Sequence, residues 1–299
     1  MFSTNPTTAV AKSPVAVRSP VSSAATIARP PASANWLDEW NDPVIATATA
    51  VGALVLSEQH GGVLGEIGQP AELDSAYQGD LSELIVGSMH WLARRQHADG
   101  GWCSSSADPA ATSKLMTSMM VRSAFRLTGA PAAYPELGER MSSFIKRQGG
   151  VEQLKAQYGP LRSATLLTCG TSALAEVVDW KQLPAIPIER ANFDAASSRV
   201  EFWLNRDPVL PAIVALGVAS FLLNKPMNPL THWRRSRAAR RAIAWLAERQ
   251  RDDGSFDHSV PVTSLVLMSL SSVGQTTGPI VRRGVEYLFA EVRCDGSWV

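Results

Sequence analysis

Residues 245–256 read WLAERQRDDGSF. Up to the glutamine, residues 236–250 (SRAARRAIAWLAERQ) put Ala239, Ala242, Ile243, Leu246 and Gln250 on one helical face. Arg240, Arg241, Glu248 and Arg249 fall off that face. The period predicts an amphipathic helix of about four turns, with Ser236 as its N-cap. Asp253-Gly254 then stops it, because glycine takes the left-handed conformation that ends a helix. Gln250 sits in the last turn, where carbonyls lack partners. A side-chain amide both donates and accepts, so it can tie a helix end to the chain that follows. Phe256 closes the turn and buries a large apolar area.

The same grammar recurs at residues 91–102, WLARRQHADGGW, with Gln96, Gly100 and Trp102 in the matching places. A third copy, residues 287–298 (YLFAEVRCDGSW), keeps Gly296 and Trp298 but has Val292 where the glutamine belongs. Weaker echoes stand at residues 56–63 (LSEQHGGV) and 144–151 (FIKRQGGV, with Gln148). Repetition at this scale decides architecture: one helix-and-turn unit is used several times, each turn clasping successive helices.

The chain has 299 residues, 45% of them hydrophobic, and a formal net charge of +1. It can bury a full core, and it has no basic field to favour nucleic acid. Its three cysteines, Cys103, Cys169 and Cys294, are scattered, which points to free thiols in a reducing compartment. Residues 1–35 are rich in Ala, Ser, Thr, Pro and Val and contain no acid. They read as a disordered leader, with an organelle transit peptide as the lesser alternative.

The folded part, residues 36–299, is expected to hold about ten helices. Asp42-Pro43 caps one that runs through Leu56, and Asp80 with Glu83 has capping-box spacing for a helix to Gln96. Further helices are expected at residues 112–128, from Pro135 to Gln148, and at residues 161–178. Residues 179–187 (DWKQLPAIP) are irregular because two prolines interrupt them. Residues 208–224 (PVLPAIVALGVASFLLN) are 17 uncharged residues in a row. About 20 are needed to span a bilayer, which leaves a buried central helix or a helix dipping into one leaflet. Arg234, Arg235, Arg237, Arg240 and Arg241 follow; they suit anionic headgroups or a solvated helix face.

Glutamine followed by Asp-Gly-Ser/Gly-aromatic at the end of an amphipathic helix resembles the QW repeat of squalene–hopene-type class II terpene cyclases. The order FIKRQGGVE, helix, VDWKQLPAIPIE resembles their N-terminal half, so the similarity covers roughly residues 40–299. It implies an all-α fold, an α/α-barrel of paired antiparallel helices. The activity implied is protonation-initiated cyclisation of a squalene-like isoprenoid in triterpenoid biosynthesis, without metal or other cofactor. A peripheral, monotopic place on the cytoplasmic side of a membrane is also implied, with Val209, Leu210, Ile213, Leu216, Phe221, Leu222 and Leu223 as lipid contacts.

Such chemistry needs a carboxyl kept protonated as a strong acid. The family takes it from an Asp-x-Asp-Asp motif that comes after this half, and no triplet here fits. The expectation is therefore an N-terminal cyclase half, truncated after Trp298, with no catalytic residue of its own and a second chain as supplier of the acid. The alternatives are a non-catalytic isoprenoid- or membrane-binding scaffold and a protein prenyltransferase β-subunit-like module. The latter needs zinc held by Asp, Cys and His, and the histidines and cysteines here are poorly spaced for it. No Asp-Asp-x-x-Asp serves magnesium and no Gly-x-Ser-x-Gly serves hydrolysis. For glycosidase chemistry the carboxylates are too dispersed to choose a pair.

Overall fold

The computed structural model describes Met1 and residues 36–60, 67–68, 75–103, 113–190, 208–224 and 228–299. Apart from Met1, the expected leader lies outside the described residues. Residues 35–299 form one compact unit. Its described helices are α1 (Trp36–Trp40), α2 (Pro43–Gln59), α3 (Leu81–Ala93), α4 (Leu115–Thr128), α5 (Pro135–Arg147), α6 (Gly150–Tyr158), α7 (Ser163–Leu174), α8 (Leu210–Leu223), α9 (Pro229–Arg249), α10 (Val260–Ser271) and α11 (Pro279–Glu291). No strand occurs among the described residues.

Two kinds of helix build the fold. Every residue of α7 and of α10 is buried, and α2, α4 and α8 are nearly so. A helix that is apolar all round has to be surrounded by protein. These five form a closed inner ring: α2 packs on α4, α4 on α7, α7 on α8, α8 on α10, and α10 back on α2. The amphipathic helices form an outer layer, with α3 on α2 and α4, α5 on α4, α6 on α4 and α7, α9 on α8, and α11 on α10 and α2. The architecture is an all-α α/α-barrel. Inner helices approach closely where one lacks a side chain: a Cβ on Gly170 of α7 would lie 2.7 Å from the Leu216 side chain of α8. Several hydroxyls in the ring bond back one turn, as Thr168 does to the Ala164 carbonyl at 2.7 Å.

The repeat turns clasp the outer layer. Gln250 Nε2 donates to the Gly254 carbonyl at 2.8 Å and to the Ile280 carbonyl, in the first turn of α11, at 2.9 Å. Gln96 Nε2 does the same to Gly100 O at 3.0 Å and to Leu137 O, in the first turn of α5, at 3.1 Å. Each glutamine thus joins the end of one outer helix to the start of the next. The amide works as a double donor; Gln96 Oε1 is buried and accepts nothing among the described residues. The terminal rings of all three full copies are buried, and Trp102 and Trp298 each donate Nε1–H to a carbonyl ten residues back, Leu92 O at 2.8 Å and Leu288 O at 2.7 Å. Gly254 has φ +85°, and a Cβ there would sit 2.1 Å from the Arg283 carbonyl.

The third copy closes the ring. The Val292 side chain cannot donate, and the Ser88 hydroxyl of α3, whose one hydrogen is shared with the Leu84 carbonyl at 2.7 Å, bonds the Gly296 carbonyl at 2.6 Å in its stead. Trp91 Nε1 donates to Asp295 Oδ2 at 2.9 Å, and Trp298 N donates to Thr47 Oγ1 of α2 at 3.1 Å. Gln148 departs from the pattern: it is exposed, caps α5 through its backbone N–H, and makes no side-chain hydrogen bond among the described residues.

Several boundaries differ from expectation. Asp42 and the Asp80–Glu83 capping box cap α2 and α3 as read, but α3 stops at Ala93, short of Gln96. Ser236 lies inside α9, which starts two turns earlier because Asn228 Oδ1 accepts from Leu230 N and Thr231 N, and Pro229 fits the first helical position. The helix expected at residues 161–178 spans only Ser163–Leu174. Glu176 turns left-handed (φ 55°), and Val177 N and Val178 N fold back onto Ser172 O.

Candidate functional site

The five inner helices run parallel. Their C-terminal ends surround a cavity of about 420 Å3, where Leu56 and His60 end α2, Leu127 ends α4, Leu174 ends α7, Leu223 ends α8 and Ser272 follows α10. Trp180, Glu176 and Arg126 complete its wall. The backbone dipoles add there: each helix C-terminus carries roughly half a negative charge. Glu176 adds a carboxylate that is 85% exposed, and Arg126 Nη2 stands 4.0 Å from it, a distance at which water screens the pair. This mouth combines an apolar floor, an indole ring and a negative backbone field, a combination that suits a cationic or cation-forming apolar ligand.

The opposite mouth holds a buried carboxyl, Glu39, and a half-buried one, Asp42. Glu39 is 6% exposed, accepts from Thr117 Oγ1 at 2.9 Å and pairs with Lys114 Nζ at 3.4 Å. Burial pushes Asp42 up to about 6, against the pull of the Val44 N–H and of the Lys114 charge. Burial also pushes the Tyr158 hydroxyl up to about 12, with Glu39 adding to it. A second cavity, of about 410 Å3, opens at this end among the starts of α2, α8 and α10. A cleft of about 610 Å3 belongs to the outer layer, where His90, Arg94, Tyr134 and Arg140 line it between α3 and α5.

The expected lipid contacts differ in exposure. Val209, Ile213, Leu216 and Phe221 are buried in the ring, Leu210 and Leu222 are half-buried, and only Leu223 is exposed. The charge-free run in α8 is apolar because protein surrounds it. No described helix is long and apolar enough to cross a membrane. Asp252 and Asp253 lie in the repeat turn; Asp253 accepts from Ser255 N at 2.9 Å and Ser255 Oγ at 2.6 Å. His97 and Cys103 meet at 3.2 Å, but no third ligand-type side chain joins them among the described residues. Burial pushes the Cys169 thiol up to about 11, away from reactivity.

Two features escaped the sequence reading. The convergence of helix ends follows from the order of inner and outer helices and carries no residue signature. The contact of His258 with Asp253, Nδ1 to Oδ2 at 2.9 Å, depends on the left-handed conformation of Asp257 and His258. Against known protein families, residues 75–195 match the squalene-hopene cyclase N-terminal domain. No curated protein matches the chain.

Proposed function

We propose, from the match of residues 75–195 to the squalene-hopene cyclase N-terminal domain, that the barrel forms one wall of an isoprenoid-cyclising cavity of the class II terpene cyclase kind. The wall is the mouth at the inner-helix C-termini. Its role is to hold the apolar chain and stabilise positive charge with five helix ends and the Trp180 ring. The strong acid comes from elsewhere, on an Asp-x-Asp-Asp segment in a further domain or a second chain. One observation carries this reading. The electronegative mouth has no buried carboxyl among its described residues, while the buried Glu39 and the half-buried Asp42 sit at the other end.

The test is incubation of the purified chain with squalene, alone and together with a cyclase C-terminal half, followed by product analysis. Cyclic product only in the mixture, reduced by Trp180→Ala, agrees with the proposal. Product from the chain alone would place the acid within this barrel. No product in either arm, with squalene still bound, leaves the non-catalytic scaffold as the better reading.

A lipid-facing surface is part of the proposal, moved from α8 to the link between α8 and α9. Leu223, Leu230 and Trp233 are 46%, 66% and 60% exposed. Arg234, Arg237, Arg240 and Arg241 follow on α9, exposed and without an ion-pair partner among the described residues. Arg235 is committed to Glu189 at 3.3 Å. An exposed indole and leucines beside unpaired arginines suit an anionic bilayer surface. The double substitution Leu230→Asp, Trp233→Asp should abolish co-sedimentation with phosphatidylglycerol-rich vesicles; unchanged sedimentation would refute this surface.

A further inference from the structure

At the N-terminal mouth, three features that neither the fold nor the cyclase reading uses come together. The first is the cavity of about 410 Å3, whose walls include Leu37, Trp40, Val209 and Val260. The second is His258, which lines that cavity and holds Nδ1 2.9 Å from Asp253 Oδ2. The third is the backbone there: Asp257 and His258 are both left-handed, with φ of 56° and 53°.

The left-handed pair has a local cause. Only two residues join the buried ring of Phe256 to Ser259, the N-cap of α10. In the first repeat, eleven residues separate Trp102 from Lys114, the N-cap of α4. The tight link turns the chain sharply at His258, whose side chain is 61% exposed and held by Asp253 at the cavity rim. Asp253 is equally constrained, because its Oδ1 accepts from Ser255 N and Ser255 Oγ, which leaves Oδ2 for the imidazole. In the third repeat the corresponding Asp295 Oδ2 is spent on Trp91 Nε1, a group with no second polar atom. The second repeat alone couples its aspartate to a side chain with a further nitrogen to offer.

We propose that this cavity binds a small, neutral, largely apolar molecule carrying a hydroxyl group, with His258 as the polar anchor and Asp253 as its positioning residue. With Nδ1–H donated to Asp253, Nε2 keeps its lone pair and accepts the ligand O–H. The carboxylates of Asp253 and Asp257 disfavour an anion, and the apolar walls take the ligand body. The site is independent of the cyclase reading and lies at the other end of the barrel from the mouth assigned to the isoprenoid.

Cyclohexanol and cyclohexyl methyl ether serve as probes, titrated into the full chain at pH 8 while the His258 imidazole nitrogens are followed by NMR. Cyclohexanol should bind about tenfold more tightly than the ether, the difference expected of one hydrogen bond, and should shift the His258 nitrogen signals. His258→Gly should reduce cyclohexanol to the affinity of the ether while the melting temperature holds or rises, since glycine accepts the left-handed turn. His258→Asn, which also tolerates that conformation, is the second variant if the first fails to fold. Leu37→Trp should abolish binding of both probes by filling the cavity. Equal affinities for alcohol and ether, binding that leaves the His258 signals in place, or no saturable binding of cyclohexanol would each overturn the assignment.

Discussion

Replacing Gln250 tests whether the clasps hold the outer layer together. The side chain is 8% exposed, and both of its Nε2 hydrogens are used, at 2.8 and 2.9 Å. Gln250→Ala leaves the Gly254 and Ile280 carbonyls without that donor. A net hydrogen bond contributes about 1 kcal/mol, and an acceptor stranded in the interior costs about 1–3 kcal/mol. Ile280 O retains its place in the α11 backbone ladder, so the lower half of the sum applies: about 2–3 kcal/mol. For a domain of this size that corresponds to a fall in melting temperature of roughly 5–10 °C. Gln250→Glu separates donation from shape. At neutral pH a carboxylate would face two carbonyl oxygens with nothing to donate, so it should be less stable than the alanine variant. It should recover in part on acidification, when protonation restores one donor. Urea titrations followed by circular dichroism give both numbers. Gln148→Ala is the control, expected within about 0.5 kcal/mol of the parent because its side chain is exposed and unbonded. The reasoning fails if Gln250→Ala costs no more than Gln148→Ala, or if Gln250→Glu behaves like glutamine at neutral pH.

Other outcomes follow from the same structure. Gly254→Ala should cost several times more than Gly129→Ala: both are left-handed, at φ +85° and +70°, but a Cβ on Gly254 meets the Arg283 carbonyl at 2.1 Å and one on Gly129 meets open space; thermal melts compare them directly. Burial raises the Asp42 carboxyl to about 6, above the ordinary aspartate range, so it contributes stability in acid that is lost as pH rises through about 6. The loss should be about 1 kcal/mol after discounting for partial exposure, and Asp42→Asn, which keeps the N-cap acceptor, should flatten that part of a stability–pH curve. Asp253 and Asp295 work the other way. Their desolvation is outweighed by the Ser255 and Ser297 hydrogen bonds, so both are lowered and their contribution falls away only at more acid pH.

The repeat turns were legible because everything they need is local. Glutamine, Asp-Gly and an aromatic ring lie within a dozen residues, and helix capping and left-handed glycine act at that range. Asp42 and Asp80 were readable as caps for the same reason. The N-cap of α9 was misread although Asn228-Pro229 carries a good signal, because the amphipathic period alone drew attention to Ser236. α8 could not be settled by its own residues, since a bilayer core and a ring of apolar helices are both satisfied by a run without charge. What decides between them is that α7 and α10 flank it, and those contacts lie tens of residues away in the chain. Ser88 is a further case: nothing near it indicates that it will donate to Gly296, 208 residues on.

That substitution of partners permits a last prediction about how the ring closes. In two copies the donor to the turn glycine carbonyl belongs to the same repeat; in the third it comes from α3, across the closing seam. The bond at the seam therefore forms only when the first and last parts of the barrel meet. Ser88→Ala should cost about 1–2 kcal/mol and act mainly on the unfolding rate, because a contact across 208 residues of chain is among those least expected in the folding transition state. Adding Val292→Gln to Ser88→Ala should restore about half the loss by returning the donor to its own turn. The same change in the parent should destabilise, since Val292 is 2% exposed and Gly296 O already has its partner. A double-mutant cycle measures that reversal of sign. If Val292→Gln costs the same with and without Ser88, the serine and the missing glutamine do not perform the same task, and the seam is held by Trp298 and Thr47 instead.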